Sequence, residues 1–473
     1  KGFFVAAGMN SVGMMSSAGV GRAMAEWVRD RQAPFDLWDT DIARFDKLSG
    51  SKAYLVKRTE EAIGDVFATH WPLKQAKAGR DLRRSVLHDQ FADAGAFFGA
   101  PTGWERPLWF GENDGERQIN YSYGDQSWWP MAEREVQAMT TGVGLLELSP
   151  FTKIDVCGSQ ACECLQWLCT SNIDVEIGRA VYTQMLNQQG GIEADITVTR
   201  LDEDSFRVTS GAATRWKDLA WLRNHGQSFE VSVFDATSSE AVIGIMGPRS
   251  LALLQDLSDE DLSQEAFPFS TVREISIGYN FVRATRVSFV GEMGWELSIP
   301  IEQAQAIYQT LVAAGNEFGL VHVGHMALDS CRLEKGYKHW GHDIGIEDTP
   351  LETGSGFTID WSKGFFGKEA LLKQKETGVT RRLLSFAVKD GHPLLLHDEP
   401  IFRNGELVGQ TTSGGRGFRT DRSICFATVR MLNGQSLKDY RDADFQISIA
   451  GVRHALEPLT KAAFDPKNER LKG

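Results

Sequence analysis

The run VYTQMLNQQGGIEADITV, Val181 to Val198, decides how the middle of this chain folds. Apolar and polar residues alternate on both sides of Gly190-Gly191, the pattern of two strands joined at a glycine turn. On the second strand Ile192, Ala194, Ile196 and Val198 fall on one face, and Glu193, Asp195 and Thr197 on the other. A two-residue loop at Gln188-Gln189 sets Tyr182 directly across from Asp195. A four-residue loop makes them diagonal neighbours on one face, and a three-residue loop with a glycine bulge sends them to opposite faces. A phenol beside a carboxylate suits proton handling or the steadying of a developing cation.

Strands and helices continue on either side. LDEDSFRVTSG and FEVSVFDATSSEAVIGIMG read as strands, GPRSLALLQDL as a helix opened by Gly-Pro, and EQAQAIYQTLVAAGNEFG as a helix ended by glycine. FVRATRVSFVGEMGWELSIP reads as a second hairpin turning at Gly291 to Gly294, with Glu296 and Ser298 on its polar face. Upstream, MAEREVQAMTTGVGLLEL and FTKIDVCGSQACECLQWL mix helix and strand without the rhythm of a parallel barrel, so the fold class is α+β. From about Arg381 the pattern becomes short strands between Gly, Asn and Asp turns, a small β-barrel or sandwich.

The front is different. GFFVAA reads as an apolar strand, Met9 to Met15 as a loop, Ser16 and Ser17 as caps, and AGVGRAMAEWV as a helix. Gly19-Val20-Gly21 fails as a dinucleotide fingerprint, because Met24 stands at the third glycine and a loop separates it from the strand. Residues 33 to 127 read as a connector, with AYLVKRTEEAIGDVF an amphipathic helix.

At 473 residues, about three domains are expected. A hydrophobic content of 42% with 27 Phe and 13 Trp fits a well-packed globular protein, and the net charge of −13 argues against a nucleic-acid surface. No apolar run reaches the ~18 residues of a membrane span and the start carries no signal-peptide pattern, so a cytoplasmic location, or the mitochondrial matrix in a eukaryote, is expected. The six cysteines lack paired C-x-x-C spacing and read as buried free thiols, with no metal site.

Several motifs carry a resemblance. GFFVAAGMNSVGMMSSAGVGRAMAEWV resembles the last strand and helix of the flavin domain in dimethylglycine and sarcosine dehydrogenases. From Trp128 onward, YTQMLNQQGGIEADITV, TSSEAVIGIMGPRS, RVSFVGEMGWELSIP, DSCRLEKGYKHWGHDI, DTPLETGSGFTIDWSKGFFGKEAL and VGQTTSGG are similar, in order, to the folate-binding T-protein of glycine cleavage as fused in those enzymes. The resemblance implies four parts: a flavin-domain end over 1–32, a connector over 33–127, a folate-binding aminomethyltransferase domain over 128–378 and a C-terminal β-barrel over 379–473. It further implies a chain whose flavin domain, or flavin subunit, lies elsewhere.

The same resemblance assigns roles. Asp195 would stand near the reacting nitrogens of tetrahydrofolate, with Ala194 where many relatives carry a second acid, and Tyr182 would orient or relay a proton. Glu296 would accept the side-by-side donors of the pterin ring. Arg332 and Lys335, one helical turn apart, would meet the glutamyl tail, while Lys338, His339 and His342 receive no role. Met9, Asn10, Ser11, Val12 and Gly13 would line the flavin. The implied activity is FAD-dependent oxidation of an N-methylated amino acid, with transfer of the carbon from an iminium to tetrahydrofolate as 5,10-methylenetetrahydrofolate and electrons passing to a separate acceptor. The alternatives are a flavin-independent folate methyltransferase or demethylase, and a non-catalytic folate-binding subunit.

Overall fold

The structure is a computed structural model that describes residues 3–9, 12–31, 33–431 and 437–473. Two sheets and a barrel make its frame. The first sheet has six strands in the order Val272–Ile277, Asn280–Thr285, Gly294–Pro300, Glu240–Met246, Val143–Glu147 and Leu320–Val323. Its neighbours are antiparallel except for the last pair. Strand alternation drives the packing: Trp295, Leu297 and Ile299 point inward with no exposed surface, and Glu296 and Ser298 between them keep theirs. The helix Ala304–Gly315 covers the sheet with Ala304, Ile307, Tyr308 and Leu311, the i, i+3, i+4, i+7 stripe of an amphipathic helix.

The second sheet has five antiparallel strands, ordered Ala180–Leu186, Ile192–Asp202, Ser205–Ser210, Thr152–Cys157 and Ser232–Asp235. Ile154, Val156, Ile196, Val198, Phe206 and Val208 form its core with the helix Ala161–Leu168. Four cysteines are buried: Cys164, Cys169, Cys331 and Cys425, and all six are free thiols. Burial pushes the Cys169 and Cys331 thiols up to about 12, which keeps them protonated and unreactive.

From Arg381 the chain closes a six-stranded barrel, a barrel rather than a sandwich. The closing pairs run from Ser385 opposite Leu459 to Val388 opposite Leu456. The helix His325–Lys335 is the hinge-pin of the whole: it packs Leu328 and Cys331 into the core beside the first sheet, and its Ser330 hydroxyl donates to the barrel carbonyl of Arg416 at 2.7 Å.

Part of the stretch that reads as a connector belongs to this core. Leu87, Phe91 and Phe110 are buried against the first sheet, because their aromatic and branched side chains complete it. The front departs from the strand-and-capped-helix reading. Phe3 to Gly8 forms no strand, since no partner strand lies beside it among the described residues. The helix spans Gly13–Asp30, so Ser16 and Ser17 sit inside it; the Ser16 hydroxyl returns a hydrogen bond to the Val12 carbonyl at 2.7 Å. Only Ala23 of that helix is buried, and Val12, Met14 and Met15 stand exposed. The helix Lys52–Asp65 likewise buries none of its residues.

Candidate functional site

The glycine hairpin builds the first half of the site. Asn187 and Gly191 close a three-residue loop, with the Asn187 N–H donating to the Gly191 carbonyl at 2.9 Å and the Asn187 Oδ1 accepting from the N–H groups of Gln189 and Gly191. Gly190 takes a φ of +82°, the left-handed conformation that costs glycine least. At Gly191 a Cβ would lie 1.7 Å from the Ile346 carbonyl oxygen, so the loop that follows the helix His325–Lys335 can approach only a glycine.

A three-residue loop alone would put Tyr182 and Asp195 on opposite faces. The pairing instead slips between Met185 and Leu186, so Glu193 becomes an extra residue on its strand. That bulge restores the parity: Gln184 lies directly opposite Asp195, and Tyr182, opposite Thr197, becomes the diagonal neighbour on the same face. The Tyr182 hydroxyl donates to Asp195 Oδ1 at 2.6 Å and the Gln184 amide donates to the same oxygen at 3.0 Å. Sequence reading passed over Gln184, although its place two residues from Tyr182 puts it on the shared face.

Burial pushes the Asp195 carboxyl up, against the two hydrogen bonds and the Lys338 ammonium, which favour its charged form. Burial of the Tyr182 hydroxyl and the neighbouring carboxylate hold that phenol well above its ordinary value, so it serves as a donor. Tyr182 keeps 40% of its surface open, its ring stacked 6.1 Å from that of the exposed Phe357. The Tyr182 ring, with Phe357 stacked on it, thus stands beside the carboxylate that its hydroxyl bonds.

Glu296 is the other half. It lies opposite Gly244 on one side and Thr285 on the other. Its carboxylate makes no hydrogen bond or ion pair among the described residues, and burial raises it to about 7, opposed only by Lys153. A half-buried acid without a donor is costly unless a ligand supplies one. Lys153 is itself buried, bonded through Nζ to the carbonyls of Ser149 and Phe151, and lowered by burial to about 8.

Buried titratable groups lie near each half. Lys153 feels Glu147, and Glu147 feels Arg106. Arg106 lies 3.2 Å from His325 Nδ1, and a small cavity is lined by Arg106, Glu147, Gly324 and His325. His325 lies within electrostatic reach of His339, whose N–H donates to Asp343 at 2.9 Å. Asp343 in turn lies within reach of Lys338, as does Asp195.

Arg332 and Lys335 take a different place from the one expected. Arg332 is 3% exposed and donates to Asp329 at 2.7 Å, to Asp343 at 2.8 Å and to the Ser413 hydroxyl at 3.2 Å. Lys335 is buried on the side chain and carbonyl of Asp465. Both pin the helix to the loop, the barrel and the C-terminal segment, so neither is presented to a glutamyl tail. Near the front, Val12 and Gly13 start the first helix, with the Val12 N–H bonded to the Met9 carbonyl at 3.0 Å. Asn10 and Ser11 lie outside the described residues.

Toward a reduced pterin the residues fit: Glu296 offers an unpartnered carboxylate for adjacent N–H donors, and Asp195 stands ready with one oxygen bonded and the other without a hydrogen bond among the described residues. No group of His, Cys, Asp and Glu able to hold a metal occurs among the described residues. No helix among them is long and apolar enough to cross a membrane.

Comparison with known proteins agrees with this architecture. Residues 87–363 match the family described as GCVT N-terminal domain, and residues 381–465 the glycine cleavage T-protein C-terminal barrel domain. Residues 32–85 match the FAD dependent oxidoreductase central domain. The chain is 40% identical to 4-methylaminobutanoate oxidase (formaldehyde-forming) of Paenarthrobacter nicotinovorans, over 99% of this chain and 57% of that protein. It is 33% identical to mitochondrial sarcosine dehydrogenase of Mus musculus, over 100% of this chain and 56% of that protein. It thus spans a little over half the length of these relatives. The crystal structure of the glycine cleavage aminomethyltransferase T from Bartonella henselae superposes with a TM-score of 0.68 at 25% identity, covering 81% of this chain and 98% of that one.

Proposed function

We propose, since this chain belongs to the glycine cleavage T-protein family, that it performs the folate-side half of N-methyl amino acid oxidation, moving a one-carbon unit from an iminium to tetrahydrofolate. The product is 5,10-methylenetetrahydrofolate. The iminium comes from an amino acid of the kind named by the relatives, a secondary or tertiary amine with a carboxylate. Its oxidation belongs to a flavin-bearing part, against which Met9, Val12 and Gly13 with the exposed Met14 and Met15 would lie.

The observation that carries the reading is the pair of prepared carboxylates, Glu296 with no hydrogen bond or ion pair among the described residues and Asp195 bonded on one oxygen. The reduced pterin supplies a nucleophilic ring nitrogen. Glu296 holds the ring by accepting two adjacent donors, which makes the encounter of nitrogen and electrophilic carbon close to unimolecular. Asp195, fixed by Tyr182 and Gln184, faces the cationic carbon–nitrogen unit and can take a proton from the attacking nitrogen and return it to the departing amine. Water must be kept from that carbon, since it would release it as formaldehyde, and the stacked rings of Tyr182 and Phe357 would supply one apolar side of the shield once ligand fills the site.

Titration of tetrahydrofolate into the chain by calorimetry tests this. Binding in the micromolar range, weakened in Glu296→Gln and kept in Asp195→Ala, is the expected result. Absence of binding to the unaltered chain overturns the proposal.

A further inference from the structure

Lys338 forms no hydrogen bond or ion pair among the described residues. It stands on the loop that follows the helix His325–Lys335, and that loop is fastened across the start of the strand bearing Asp195. The Trp340 indole N–H donates to the Ile192 carbonyl at 2.9 Å, and the Asn187 amide donates to the Ile346 carbonyl at 2.9 Å. Lys217 braces the same place, its ammonium 4.4 Å over the Trp340 ring and bonded to Glu193. The loop is therefore fixed against that end of the strand, with Lys338 two residues from the Trp340 anchor and within electrostatic reach of Asp195.

Asp195 and Asp343 both lie within electrostatic reach of Lys338, yet it forms no hydrogen bond or ion pair with either among the described residues. Asp343 has no need of it. That carboxylate already accepts from Arg332 at 2.8 Å, the His339 N–H at 2.9 Å, and the hydroxyls of Thr412 and Ser413 at 2.6 Å each. Asp195 has its own two donors. Burial lowers the Lys338 ammonium from its ordinary value, the cost of keeping a cation in a recess with nothing bonded to it.

An ammonium and a carboxylate that share no hydrogen bond with each other among the described residues match the two ends of a dipolar ligand. An iminium derived from an amino acid is such a ligand, with a cationic nitrogen and a carboxylate only a few bonds away. A folate glutamyl tail is a poorer match, because its carboxylates lie beyond the aminobenzoyl ring from the nitrogens that Asp195 would face.

We infer that Lys338 is the carboxylate-recognising residue of the transfer site, holding the amino-acid end of the iminium while Asp195 faces its cationic end. The inference rests on the folate-transfer reading above. It names a specificity element: amines bearing a carboxylate are accepted, and their decarboxylated counterparts are discriminated against.

The test titrates 4-methylaminobutanoate and N-methylpropylamine into the tetrahydrofolate-loaded chain, since the protonated amine carries the charge of the iminium without its reactivity. The unaltered chain should bind the acid at least tenfold more tightly than the amine. Lys338→Met should erase that preference, and Lys338→Arg should restore most of it, with tetrahydrofolate affinity unchanged in both as the control for folding. A preference that persists in Lys338→Met, or none in the unaltered chain, overturns the inference and leaves the folate reading standing. Failure of the unaltered chain to take up tetrahydrofolate overturns both.

Discussion

Replacing Glu296 by Gln should make the free protein more stable and the folate complex weaker, and the two effects should part with pH. The native carboxyl is raised to about 7 from an ordinary 4.5 by burial without a bonding partner. A folded-state value above the unfolded one means that the native state binds the extra proton, so its contribution is intact below pH 4.5 and is lost as pH rises through 7. At pH 8 the loss reaches about 3 kcal/mol, an upper figure because Glu296 keeps part of its surface open to water. Glutamine carries no such charge, so Glu296→Gln should melt with the unaltered chain at pH 4 and up to roughly 3 to 6 °C above it at pH 8.

Folate binding should move the other way. A carboxylate accepting two pterin donors loses about 1.5–3 kcal/mol when one oxygen becomes an amide nitrogen, a weakening of roughly ten- to a hundredfold. Only the ionised acid accepts both donors, so affinity for the unaltered chain should also rise between pH 6 and 8. Scanning calorimetry at the two pH values and titration calorimetry at pH 8 give all three readouts. Equal melting at pH 8, or equal folate affinity, would refute the claim that this acid is held in reserve for a ligand.

Three further outcomes follow from the same structure. Asp195→Asn keeps the hairpin and folate binding but removes the proton acceptor, and should cut methylene-folate formation by about 10²–10⁴ in the enzyme joined to its flavin part; formaldehyde release measured alongside should rise in proportion. Arg332→Met strips the buried Asp343 of its cation and should cost about 3–5 kcal/mol in urea unfolding, while the affinity of the folded protein for folate stays unchanged. Gly191→Ala drives a Cβ into the Ile346 carbonyl, so a lower melting temperature and loss of the Tyr182–Asp195 contact, seen as a shifted tyrosine titration, are expected.

Much of this was legible in the chain itself. Period-two alternation assigned the inward faces of both hairpins, since a strand face is fixed by residue type: Ile192, Ala194, Ile196 and Val198 are buried, as are Trp295, Leu297 and Ile299. Glycine at 190 and 191 marked the turn, and the ordered motifs marked the family. Tertiary structure decided the remainder, because those outcomes depend on groups far away in sequence. The bulge at Glu193 set whether Tyr182 meets Asp195, and Trp340 and Lys217 from other elements fasten that end of the strand. Arg332 looked free on its helix until Asp343 and Ser413 closed over it. Glu296 and Lys338 became notable through what does not reach them, and local pattern says nothing about a missing partner: only the packed whole reveals which buried charges are left for a ligand to complete.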